Sequence, residues 1–122
     1  MKSALAIALI CLTAGAQVDD RRAVQAIIGE SAGQSYTEKL AIAGAIRNRG
    51  TLDGVRGRHN LGMILTQPAW VFRDARTAWA QSRTNDITRG GKFWESDNFP
   101  RPAWSLGMTE TAHVGKFRFY RP

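Results

Sequence analysis

The sequence predicts a mainly α domain with a small β element, an α+β class. Three observations carry this. Apolar residues recur at helical spacing in "DDRRAVQAIIGESA" and again after Pro68. A capping-box pattern, Ser35 with Glu38, precedes a run of small and apolar residues. The stretch "TAHVGKFRFYR" reads as two short strands around Gly115-Lys116.

In chain order, residues 1–16 are expected to be a signal peptide. "MKSALAIALICLTAGA" has one basic residue, Lys2, an apolar run from Ala4 to Leu12, and Ala14-Gly15-Ala16 as a cleavage pattern before Gln17. The run is too short for an ordinary transmembrane helix. The expected mature chain, residues 17–122, is exported to the periplasm or the extracellular cell wall, with no stable membrane insertion after signal removal. It contains no cysteine, because Cys11 lies in the signal, so no disulfide holds the fold.

The first helix is predicted over Asp19–Ala32. Asp19 and Asp20 suit an N-terminus; Ala23, Val24, Ile27 and Ile28 make the buried stripe; Gly33 is expected to end it. Glu30, three residues after Ile27, borders that stripe. The second helix follows the capping box and closes at Gly50. Its Ala41, Ala43, Gly44 and Ala45 allow another helix to pack closely. "TLDGVRGRHN" reads as a polar loop, and Leu61–Leu65 as a short helical turn. Pro68 opens a helix with Val71, Ala75, Ala78 and Trp79 on its inner face. "DITRGGKFW" reads as a loop, and "RPAWSLG" as a turn or short helix opened by Pro102.

The net charge of +7 becomes +6 without Lys2. A basic chain favours polyanions. The Lys and Arg residues are scattered, no nucleic-acid-binding motif occurs, and the export signal points outside the cell. Nucleic acid is therefore not an expected partner, and an anionic cell-wall polymer is.

Among the ten acidic residues, Asp19, Asp20 and Glu38 have cap roles, while Glu95, Asp97 and Glu110 lie in polar stretches. Glu30 and Asp86 have unusual settings. Burial and the negative end of the helix dipole favour protonated Glu30, which a general acid near neutral pH requires. Spacing alone is equally consistent with a helix-end glutamate paired with an arginine. Asp86, with Thr88 two residues on, suits an Asx-type turn. His59 and His113 lack a third ligand at metal spacing, so neither a metal nor a cofactor is expected. No Ser/His/Asp or Cys/His arrangement and no phosphate loop occurs. Trp79 fits a core. Trp94 and Trp104 fall in irregular segments, where aromatic faces line grooves and stack on sugars.

"IIGESAGQSYTEKLAIAGAIRNR" resembles the opening of the cell-wall hydrolase family typified by spore-cortex-lytic enzymes, through Gly29, Glu30, Gly33, Tyr36, Asn48 and Arg49. "DITRGGKFW" resembles a second block through Asp86, Thr88 and Gly90, and "TAHVGKFRFYR" a third through Gly115, Phe119 and Tyr120. Gln34, Ile87 and Phe117 stand where that family has a glutamate, a proline and a histidine.

The resemblance implies a lysozyme-like catalytic domain over residues 17–122, cutting peptidoglycan between N-acetylmuramic acid and N-acetylglucosamine. It implies Glu30 as catalytic acid and then base in lytic transglycosylation, giving 1,6-anhydro-muramic acid ends. One carboxylate suffices for that, which accommodates Gln34. Substrate-binding roles are expected for Gln34, Tyr36, Asn48, Asp86, Thr88, Trp94, Trp104 and Tyr120. The alternatives are a hydrolytic muramidase using Asp86 and a non-catalytic peptidoglycan-binding module. Peptidoglycan is the expected partner, met by a monomer.

Overall fold

A computed structural model describes residues 18–122. The expected signal peptide and its cleavage point at Gln17 lie outside the described residues. Helix α1 spans Asp20–Ser31, with the Asp19 side chain accepting from the Arg22 amide at 3.1 Å. Its Ala23, Ala26, Ile27 and Ile28 are fully buried. The expected stop at Gly33 is corrected: the helix closes at Ala32 in a right-handed conformation. Its open end is satisfied by Lys39, whose Nζ donates to the carbonyls of Ser31, Ala32 and Gln34 at 2.8, 3.1 and 2.6 Å. Lys39 is fully buried, and burial holds its ammonium below the ordinary lysine value. Three acceptors replace the water it loses and pair carbonyls that a helix end leaves open.

Helix α2 spans Tyr36–Arg49 and starts with the capping box read from the sequence. Gly50 closes it with a left-handed φ of 72°, a conformation glycine adopts without strain. Leu40 to Ile46 are buried on every side. The small residues permit this packing. At Gly44, a Cβ would come within 2.9 Å of Asp86 Oδ1.

A 3-10 turn at Arg56–His59 leads into helix α3, Leu61–Leu65, and helix α4, Ala69–Gln81. Val71, Ala75, Ala78 and Trp79 of α4 are buried, as their spacing predicts. The Trp79 indole donates to Asp20 Oδ1 at 2.7 Å, a tie beyond the cap role read for Asp20.

Strands β1 (Phe93–Ser96), β2 (Thr109–Val114) and β3 (Phe117–Arg121) form an antiparallel sheet in the order β1-β3-β2. The hairpin turns at Gly115-Lys116 as expected. The Lys116 amide donates to Glu38 Oε2 at 3.0 Å, and Gly115, at φ 57°, has no room for a Cβ beside that carboxylate. Glu38 thus caps α2 and docks the hairpin. The expected loop "DITRGGKFW" is corrected at its end: Phe93 and Trp94 open β1. Four residues are too few for a period-2 signal, and the strand forms by pairing with β3, from Phe93↔Tyr120 to Ser96↔Phe117. Ala103–Ser105 is a short 3-10 turn after Pro102. The mainly α class with a small β element is what the structure has. Among the described residues, no helix is long and apolar enough to cross a membrane.

Candidate active site

Glu30 lies in the last turn of α1. Its Oε1 accepts from the Trp94 indole N–H at 2.7 Å, and its Oε2 from the Gly57 amide at 2.8 Å. Both donors come from distant chain: β1 and the 3-10 turn. The second bond depends on a pair of glycines. The backbones of Gly29 and Gly57 touch, so a Cβ on either would overlap the other's main chain, and one on Gly57 would also overlap Glu30 Oε2. Glycine inside a helix costs about 1 kcal/mol against alanine. At position 29 it lets the turn approach closely enough to hold Glu30.

Arg49, near the end of α2, lies over two aromatic rings, 4.8 Å from the Phe93 centroid and 5.6 Å from that of Trp94. It donates to the Asp53 carbonyl. Burial lowers its guanidinium from the ordinary value, with Glu30 and Asp53 acting in opposition as nearby acids. Among the described residues Glu30 makes no direct ion pair; its neighbouring arginine sits against the aromatic wall instead.

These groups line a cleft of about 560 Å³ bordered by Glu30, Arg49, Gly54, Arg56, Phe93, Trp94, Glu95 and Trp104. That volume suits a small-molecule or saccharide site. Strand β1 is at the edge of the sheet, so residues from both its faces reach the cleft. Trp104, half exposed, packs 6.3 Å from Phe93 and edge-on to Tyr120 at 5.7 Å. Trp94 and Trp104 therefore both face the groove, as expected from the sequence. A second concavity of about 520 Å³, lined by Val18, Arg47, Gly50, Trp79 and Arg83, holds no carboxylate. Of these two, the first presents carboxylates.

Glu95, placed among polar stretches from the sequence alone, is the second carboxylate of the cleft. It is held by two neighbours, Arg118 and Tyr120. Arg118, its cross-strand partner, brings Nε to 2.7 Å of Oε1 and donates from its terminal nitrogen to Oε2 at 3.2 Å. The Tyr120 hydroxyl donates to Oε1 at 2.7 Å. Tyr120 is fully buried, and burial together with this bond raises its phenol from the ordinary value. The expected sugar contact by Tyr120 is corrected accordingly: its role is to hold Glu95 and support Trp104.

Asn48, Asp86 and Thr88 come together, but outside the cleft lining. Asp86 Oδ1 accepts from the Thr88 amide at 2.9 Å and from its hydroxyl. Oδ2 accepts from the Gly90 amide and from Asn48 Nδ2, both at 2.9 Å. Asn48 also donates to the Gly91 carbonyl at 2.9 Å. Burial opposes the charge on Asp86, but the hydrogen bonds from Thr88, Asn48 and Gly90 outweigh it and hold the carboxyl below its ordinary value. The Asx-type turn is thus part of a brace between the end of α2 and the segment entering β1. Thr88 has no exposed surface, so its expected substrate contact is corrected to this internal role. The brace fixes the approach to Phe93 and Trp94, two and three residues past Gly91.

Gln34 and Tyr36 are not among the residues lining the cleft. Gln34 gives its carbonyl to Lys39, and the Tyr36 hydroxyl donates to Gln81 on α4. Among the described residues no group of three or more His, Cys, Asp or Glu could hold a metal ion; His113 pairs with Asp97 at 2.8 Å.

No family model and no curated protein matches the sequence. In fold, the chain is similar to the catalytic domain of the Bacillus cereus SleB protein, with a TM-score of 0.67 and 21% identity over 84% of this chain and 89% of that one. It is likewise similar to the catalytic domain of a germination-specific lytic transglycosylase, SleB from Bacillus anthracis, with a TM-score of 0.64 and 21% identity over 84% of this chain and 93% of that one. At this identity the likeness is one of fold.

Proposed function

We propose that this cleft cuts the glycan strands of peptidoglycan between N-acetylmuramic acid and N-acetylglucosamine, by lytic transglycosylation, with Glu30 as the catalytic carboxylate. One observation carries the proposal. Glu30 is held at both oxygens in an aromatic-walled cleft whose other carboxylate, Glu95, is bound to Arg118 and Tyr120. A glycosidase that works by hydrolysis ordinarily needs two working carboxylates. Here one is available, and one is enough for transglycosylation. The shared fold with a lytic transglycosylase domain supports the same chemistry.

Each Glu30 oxygen uses one acceptor site on its protein donor and keeps another for substrate. Protonated Glu30 donates to the glycosidic oxygen, and the bond from that oxygen to the muramic acid anomeric carbon breaks. The glucosamine 4-hydroxyl leaves. The Glu30 carboxylate then takes the proton from the muramic acid C6 hydroxyl, whose oxygen closes on the anomeric carbon. Glu30 ends protonated, ready for another cycle. Trp94 and Gly57 keep the carboxylate in one orientation through both steps, and such positioning is a major source of rate. Trp94, Trp104 and Phe93 offer flat apolar surface for sugar faces. A substrate outside the membrane agrees with the expected signal peptide.

Glu95 is the one observation that favours a hydrolytic muramidase, since it shares the cleft. To act, it would have to leave Arg118 and Tyr120. Digestion of purified peptidoglycan followed by mass spectrometry decides. The expected products carry 1,6-anhydro ends, one water lighter than hydrolytic products. Reducing ends would assign the hydrolytic reaction, and binding without any product would assign a non-catalytic module.

A further inference from the structure

We propose that Arg56 binds a carboxylate on the muramyl arm of the substrate, forming an anion subsite beside Glu30. The inference rests on the proposed glycan cleavage and names what the strand must carry.

Arg56 lines the same cleft as Glu30 and is exposed. Its backbone is fixed on both sides. Val55 before it is buried, and Gly57 after it is wedged against Gly29 and bonded to Glu30. The side chain therefore projects from a rigid base next to the catalytic group.

The charges around the cleft are unevenly matched. Glu95 is paired with Arg118. Arg49 has Glu30 and Asp53 as its nearby acids. The Arg56 guanidinium makes no hydrogen bond or ion pair among the described residues. Glu30 and Glu95 balance Arg49 and Arg56 in the cleft lining, so when Glu30 carries the proton it will donate, the lining gains one net positive charge. An unpaired guanidinium in a cleft with aromatic walls selects a carboxylate, which it can grip through two parallel N–H bonds.

On a peptidoglycan strand the sugar rings are neutral, and carboxylates sit on the arm of each muramic acid. The arm ends either in a free lactyl carboxylate or in a stem peptide with its own carboxylates. Both present the same chemistry close to the bond Glu30 cuts.

The test measures kcat/KM on four substrates. Two are glycan strands stripped of peptide, which expose the lactyl carboxylate, and strands bearing stem peptides. The other two are the same strands after their carboxylates are coupled to methylamine as neutral amides. Wild-type protein should prefer at least one carboxylate form over its amide by about tenfold, the strength of a hydrogen bond to a charged group. Arg56→Gln should bring that ratio near one, and Arg56→Lys should restore part of it. Arg76→Gln removes an exposed charge of α4 outside the cleft. It should keep the preference, which separates a local subsite from general attraction to an anionic polymer. A preference on stripped strands assigns the lactyl group, and one confined to peptide-bearing strands assigns the stem peptide. Equal cleavage of acid and amide forms by wild type, or an unchanged preference in Arg56→Gln, would overturn the subsite while leaving glycan cleavage standing. No cleavage of any strand would overturn both.

Discussion

The indole N–H of Trp94 holds Glu30 Oε1 at 2.7 Å across 64 residues of chain. The contact exists because β1 pairs with β3 and presents Trp94 to the end of α1, with Trp94 tilted against Phe119 behind it. One donor thus links the helical and β parts of the domain at Glu30. Trp94→Phe keeps an aromatic ring but removes the pyrrole half with its donor. Cleavage should fall by about ten- to hundredfold, the cost of losing a hydrogen bond to a charged group, with a modest drop in melting temperature as the smaller ring packs less fully on Phe119. Steady-state rates with a thermal melt check this.

Gly57→Ala tests the other donor. The added methyl overlaps Glu30 Oε2 and the backbone of α1, so either the turn or the carboxylate must move. Activity should drop at least as far as in Trp94→Phe, with a measurable loss of stability, because a backbone contact is displaced. Gly62→Ala is the control, since nothing lies within 4 Å of a Cβ there, and it should retain both.

Asp86→Asn should reduce turnover in part and lower the melting temperature together. The amide cannot accept on both sides as the carboxylate does from Thr88, Gly90 and Asn48. Losing such bonds costs about 1–3 kcal/mol, or roughly 5 °C or more in a domain of this size. The pH dependence has a definite sign. The folded-state pKa of Asp86 lies below the ordinary 3.8, and that of Glu38 below 4.5. The unfolded chain therefore takes up these protons first as pH falls. Their stabilisation is complete above the ordinary values and is lost as pH drops through the depressed ones. Melts at decreasing pH should show wild type losing more stability than Asp86→Asn in that window. Equal losses would remove Asp86 from the brace.

The helices were legible because their signals are local. Asp19 as cap, the Ser35–Glu38 box, Gly50 at the C-terminus and the stripe Val71, Ala75, Ala78, Trp79 each need only a few neighbouring residues. The hairpin at Gly115-Lys116 was legible for the same reason. Glu30 stood out by its place on the stripe and its match to the family motif. The rest of the site depends on pairing between distant segments. Glu95 looked like a solvated acid until strand register set it opposite Arg118. The reasons for Gly29 and Gly57 appear only where their two backbones meet. Gln34 and Tyr36 have substrate-binding roles only as the resemblance implies them. The turn after α1 carries them toward Lys39 and Gln81.

The central claim is that Glu30 alone supplies the acid and the base. Glu30→Gln keeps the shape of the side chain and removes the proton it transfers, so the fold and sedimentation with peptidoglycan should both survive. The decisive measurement is mass spectrometry of muropeptides released by wild type and by Glu30→Gln from the same purified peptidoglycan. Wild type should release 1,6-anhydro-ended products, and the variant at least about 10²–10⁴-fold less, the usual contribution of a general acid or base. Near-normal release of anhydro products by the folded variant would contradict the account.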